Sequence, residues 1–64
     1  MELSRREREV LQLASHGMRN QRIASLVGVH LSTVKKFLWK AARKLGAANT
    51  QHACCEALRK GLIQ

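Results

Sequence analysis

His16, His30, His52, Cys54 and Cys55 are the side chains best suited to metal binding or nucleophilic catalysis, and their spacing supports neither. The histidines lie far apart and the cysteines are adjacent, so no Cys/His pattern of zinc-binding spacing exists. No Ser/His/Asp arrangement, paired carboxylates or phosphate-cradling glycine loop is present either. The expectation is a chain that is not an enzyme and carries no metal or cofactor. Cys54 and Cys55 read as small apolar residues of a reducing compartment, the cytoplasm. An intermolecular disulfide across a two-fold axis is the alternative.

The cations are different. Twelve Lys/Arg against four Asp/Glu give a net charge of +8 over 64 residues. Glu2, Glu7 and Glu9 are balanced locally by Arg5, Arg6 and Arg8, and beyond them nine bases face Glu56 alone. A field of that sign favours a polyanion or an anionic surface. No apolar run approaches the roughly 20 residues of a membrane span; the arrangement of the cations along the chain's helices is what makes double-stranded DNA, and no membrane, the expected partner.

The elements that must position these charges are helical. Proline is absent, Phe37 and Trp39 are the only aromatic residues, and no alternating Val/Ile/Thr stretch occurs. The fold class expected is all-α, a four-helix bundle-like domain over residues 1–64. Ser4-Arg5-Arg6-Glu7 has the form of a capping box and opens the first helix. Leu3 has no apolar partner four residues into that helix and is expected to pack elsewhere. Val10, Leu11, Leu13 and Ala14 form the buried stripe, and Gly17 ends the helix. Asn20 is read as the N-cap of a short second helix whose apolar face is Ile23, Ala24, Leu26 and Val27, closed by Gly28. A third helix runs from about Ser32 to Leu45, with Val34, Phe37, Leu38, Ala41 and Leu45 on one side and Gly46 after it. A fourth begins near Asn49 or Thr50 and reaches Arg59 or Lys60, presenting Ala53, Cys54, Ala57 and Leu58.

Residues of about 20–45 meet the local demands of a helix-turn-helix. Ala24 is small where the second helix crosses the third. Gly28, four positions on, can take positive φ in the turn. Val34, six beyond it, anchors the following helix, while Ile23, Val27, Val29 and Phe37 fill the other inward positions. The outward face of the third helix then holds Ser32, Lys35, Lys36, Trp39, Lys40 and Arg43, four cations with no acid. Such a helix suits the major groove. Lys35, Lys36 and Trp39 are the candidates for base contact. Ser32 and Thr33 suit phosphate contact at the helix start. Lys40, Arg43 and Lys44 are placed on the flanking backbone, and Arg19, Asn20, Gln21 and Arg22 on the phosphates that the second helix crosses.

Leu3-Ser4-Arg5-Arg6-Glu7-Arg8-Glu9-Val10-Leu11, Asn20-Gln21-Arg22-Ile23-Ala24, Thr33-Val34-Lys35, Arg43-Lys44-Leu45-Gly46 and Ala57-Leu58-Arg59-Lys60-Gly61-Leu62-Ile63 together resemble the LuxR-type (NarL/FixJ, GerE-like) DNA-binding domain. The resemblance covers nearly the whole chain. It implies a bacterial or phage transcription-factor domain that binds DNA as a two-fold dimer, with the fourth helix (about 50–60) at the subunit contact. Ala53, Cys54 and Ala57 are accordingly placed at that contact. By position, Lys35, Lys36 and Trp39 match the family's base-contacting sites and Thr33 a phosphate-contacting one.

The departures bear on Trp39 above all. The family usually has polar residues where Leu31 and Trp39 stand, a polar N-cap at His30, a histidine at Phe37 and asparagine at Lys40. His30 is read as an indifferent turn residue and Phe37 as core. Three roles are open to Trp39: a cation–π partner of Lys35 or Lys36, a contact with a thymine methyl, or a protein-binding patch with Leu31 and Lys35. Two larger readings also stay open. One is a transcriptional regulator or its excised C-terminal output domain. The other is a stand-alone mini-protein that pairs with, or antagonises, a larger related regulator as a heterodimer.

Overall fold

The computed structural model describes residues 2–64; Met1, the first residue of the expected domain, lies outside the described residues. Four helices follow in order: α1 Arg5–Ser15, α2 Asn20–Val27, α3 Leu31–Lys44 and α4 Thr50–Arg59. The described residues contain no strand, and the all-α expectation holds.

α1 begins as its sequence requires. Ser4 Oγ accepts the Glu7 N–H at 3.1 Å, and Glu7 Oε1 accepts the Ser4 N–H at 2.9 Å, so both halves of the capping box are formed. Leu3 drops into the core beside it. Asn49 caps α4 by accepting the His52 N–H at 2.8 Å.

Two starts differ from the sequence expectation. Arg19, and not Asn20, is the N-cap of α2, without a side-chain cap bond. Asn20 is already the first helical residue. α3 starts one residue early, at Leu31, because His30 caps it: Nδ1 accepts the Ser32 N–H at 3.3 Å and lies 3.0 Å from the Ser32 hydroxyl. His30 is therefore no indifferent turn residue. Substituting His30 by alanine should lower stability by about 1 kcal/mol, with His30→Asn restoring most of it, as chemical denaturation would measure.

The core draws on every helix: Val10 and Leu11 of α1, Ile23 and Ala24 of α2, Val34, Leu38, Ala41 and Ala42 of α3, and Ala53, Cys54 and Ala57 of α4. Leu3 and Ile63 close its ends, while Leu13, Val27, Phe37 and Leu45 pack at its margin. α1 and α3 each touch the other three helices, whereas α2 and α4 do not pack on each other. Hence α2 and α4 occupy separate flanks of α3. The α2–α3 turn is made by Gly28 at φ +78°, a left-handed conformation that a side chain disfavours. Its N–H and that of Val29 both return to the Ala24 carbonyl. Arg6 Nη1, reaching across from α1, donates to the Val27 carbonyl at 3.3 Å and fixes the same helix end.

Apolar type alone misplaces two residues. Leu26 (59% exposed) and Leu58 (48%) face solvent. At 100° per residue, Ile23, Ala24 and Val27 cluster on one side of α2 and Leu26 falls well outside that arc. Leu58 lies past Cys54, beyond the opposite end of the corresponding Ala53–Cys54–Ala57 arc of α4.

Candidate nucleic-acid interface

α3 is built to show one face and bury the other. Val34, Leu38, Ala41 and Ala42 are buried, so the strip opposite them must point outward. Ser32, Lys36, Trp39 and Arg43, at i, i+4, i+7 and i+11, occupy that strip, and all four are exposed. Lys40 flanks it on one side and Lys35 on the other, both exposed. Arg19, Gln21 and Arg22 are exposed at the start of α2, and Asn20 is half-buried. No acidic residue lies between Glu9 and Glu56 in the sequence, so the α2–α3 unit is cationic throughout. Its field is of one sign and would attract a polyanion over its whole width.

Three of the expected contacts change in the structure. Lys44 leaves the phosphate-facing group. Its Nζ lies 2.7 Å from Glu7 Oε1, with the lysine side chain only 24% and the glutamate side chain 4% exposed. The ammonium is committed to an internal ion pair that ties the C-terminal end of α3 to the first turn of α1. Burial by itself pushes the Glu7 carboxyl up. The Lys44 ammonium, with the Ser4 amide and hydroxyl, outweighs that and holds it below its ordinary value.

Trp39 does not stack on Lys35 or Lys36. Its ring carries the Arg43 guanidinium instead, 4.9 Å from the centroid, so the cation–π partner is one turn C-terminal. Arg43, expected on the flanking backbone, is exposed on the outward strip as its spacing required. Ser32 keeps its place at the head of α3, but its hydroxyl is engaged by His30, and Thr33 beside it is half-buried.

The third change concerns α4. Ala53 and Ala57 have no exposed surface and Cys54 is 8% exposed, because these residues pack inward against α1 and α3. Cys54 Sγ lies 3.9 Å from the Leu11 carbonyl, and burial pushes its thiol up. Ala53 and Ala57 therefore belong to the domain's own core and not to an outer face, and Cys54 reaches the surface only at the floor of a groove. Gln51, Cys55 and Leu58, at i, i+4 and i+7, form the outer face of α4. With Ala14 and Ser15 of α1 they border a shallow groove of about 450 Å³. Apolar type suits a core position and a subunit contact equally, so no local signal separates the two for Ala53, Cys54 and Ala57. The Glu7–Lys44 pair and the Arg6–Val27 bond had no local signal, being made between residues far apart in sequence.

Among the described residues no group of three or more His, Cys, Asp or Glu could hold a metal ion. No helix is long and apolar enough to cross a membrane.

Residues 1–57 match the sequence profile of a family described as bacterial regulatory proteins, luxR family. The chain is 39% identical over 61 residues to the transcriptional activator protein ExpR of Dickeya dadantii, covering 95% of this chain and 24% of ExpR. It is 44% identical over 62 residues to RpaR of Rhodopseudomonas palustris, a quorum sensing-dependent transcriptional regulator, covering 97% and 26%. It spans about a quarter of the length of these relatives. Among solved structures it is similar to the transcription factor GerE, with a TM-score of 0.92 and 29% identity over 97% of this chain and 92% of that one. The dimeric LuxR-type receptor VqmA of Vibrio cholerae superposes with a TM-score of 0.90 and 32% identity, covering 98% of this chain and 29% of VqmA.

Proposed function

The chain belongs to the luxR family of bacterial regulatory proteins, a family of transcription regulators and not of enzymes, and from that premise we propose how it engages DNA. It is a LuxR-type helix-turn-helix DNA-binding domain. We propose that α3 enters the major groove, with Lys35, Lys36 and Trp39 at base edges. Ser32, Thr33 and Lys40 contact phosphates from α3, as Arg19, Asn20, Gln21 and Arg22 do from α2. The observation that carries this reading is the exposed strip of α3, cationic and free of acids, held rigid by a fully apolar opposite face. Selection of bound oligonucleotides from a random pool tests it. An enriched major-groove motif supports the docking; absence of any enrichment sinks it.

We further propose that the domain pairs with a second copy through the outer strip of α4, Gln51, Cys55 and Leu58, placing half-sites about one helical turn apart. The exposed Leu58 beside the α1–α4 groove supports this face. The cytoplasm, where such a domain meets DNA, is its expected location. Leu58→Glu should weaken self-association by more than about tenfold, since a charge would be buried without a partner. Sedimentation analysis reads that directly. Equal association of the variant and the unchanged chain would remove α4 from the interface, and pairing seen only with a longer relative would make the contact heteromeric.

A further inference from the structure

On the DNA-binding reading above, we infer that Trp39 and Arg43 act as one reading unit for a 5-methylpyrimidine (thymine in ordinary DNA) lying within two base steps of a guanine. The two residues are adjacent on the strip of α3 that points away from the core. Trp39 is 59% exposed and is the largest side chain on that strip. One face of its ring is covered by the Arg43 guanidinium at 4.9 Å. An arginine held on a ring by its charge keeps N–H groups that the ring does not use as acceptors, and these can still donate to a base. Among the described residues no carboxylate pairs with Arg43. Its donors are therefore uncommitted while its orientation is held.

The chemistry of the major groove matches each half of this pair. An apolar surface there has one apolar target, the C5-methyl group of thymine, and an arginine fork has a bidentate target, O6 and N7 of guanine. Residues four apart are separated by about 6 Å along a helix axis. That is under two base-pair steps of about 3.4 Å for a helix lying along the groove. A lone arginine would lose rotamer freedom on reaching a base; one already laid on an indole loses less. Lys36, earlier on the same strip, is a point charge without such a fork and cannot impose the same geometry.

The test uses the full chain and a site it selects from a random pool. Each thymine is replaced in turn by deoxyuridine, which deletes only the methyl group, and each guanine by 7-deazaguanine, which deletes only N7. One deoxyuridine position per half-site should weaken binding about fourfold, the worth of one apolar carbon. A 7-deazaguanine within two steps of it should weaken binding about tenfold. Trp39→Ala should abolish the first response, Trp39→Phe should keep part of it, and Arg43→Ala should abolish the second. Both side chains are exposed, so helical circular dichroism should be unchanged in all three variants. A selected site whose binding ignores every deoxyuridine, or responses that persist in Trp39→Ala, would overturn the pairing while leaving DNA binding intact. Failure to select any site would overturn both.

Discussion

Glu7→Gln should remove about 2–4 kcal/mol of folding stability, a large share for a domain of this size. Domains carry roughly 0.05–0.15 kcal/mol per residue, which for this chain amounts to only several kcal/mol in all. Glu7 holds three partners at once: the Ser4 N–H, the Ser4 hydroxyl through its own N–H, and the Lys44 ammonium. Removing the charge leaves a largely buried ammonium without a counter-ion, which typically costs about 3–5 kcal/mol when burial is complete. Lys44 keeps some access to water, so the expected loss is placed about 1 kcal/mol below that range. Glutamine can still accept the Ser4 N–H, so the capping box is retained and the loss reports the ion pair. Lys44→Met should cost at least as much, because it strands the more deeply buried Glu7 carboxylate, and the double variant should cost less than the sum, because neither partner is then stranded. Urea denaturation of the four proteins closes that cycle; additive losses would mean that the pair is not coupled.

The same pair sets the acid limb of stability. The folded-state carboxyl of Glu7 is held below its ordinary value, so its contribution is fully present above the unfolded glutamate range of about 4.3. It is lost as pH falls through the lower, folded value. Glu56, held down by the Arg59 guanidinium beside it, acts in the same direction. Stability of the unchanged chain should therefore decline between neutral pH and pH ~3, and Glu7→Gln should flatten part of that decline.

The second large effect lies on DNA. Lys35→Ala with Lys36→Ala should weaken binding to a selected site by about 10²–10⁴-fold at fixed salt, taking about 1–3 kcal/mol for each base contact. Binding to unrelated sequences should fall far less, so the ratio of specific to non-specific affinity collapses. Arg22→Ala should behave in the opposite manner. It should weaken all sequences alike and reduce the magnitude of the salt slope by about one. All three side chains are exposed, so the fold should be unaffected. Gel shifts over a salt series distinguish the patterns, and equal loss on all sequences for the lysine pair would place them on the backbone.

Much of this was legible in the chain itself. Helix number, the capping box at Ser4, the turn at Gly28, the inward residues of α3 and the cationic outward face follow from local rules, namely a 3.6-residue period, short polar caps and positive φ at glycine. The family resemblance rested on the same segments, and the sequence and structural comparisons agree with it. Which cation is free, and which apolar residue is outside, did not follow. Lys44 and Arg43 are neighbours of one type, yet one is drawn to Glu7, 37 residues earlier, and the other lies on Trp39. Ala53, Cys54 and Ala57 are apolar in sequence whether they meet a partner or their own core. Their position became evident only when α1 and α3 were packed against them. The sequence by itself determined the helices, their caps and the sign of the field on α3, because these depend on near neighbours. Tertiary structure alone decided the ion pair, the ring stack and the outer face of α4, because each depends on where distant helices come to rest.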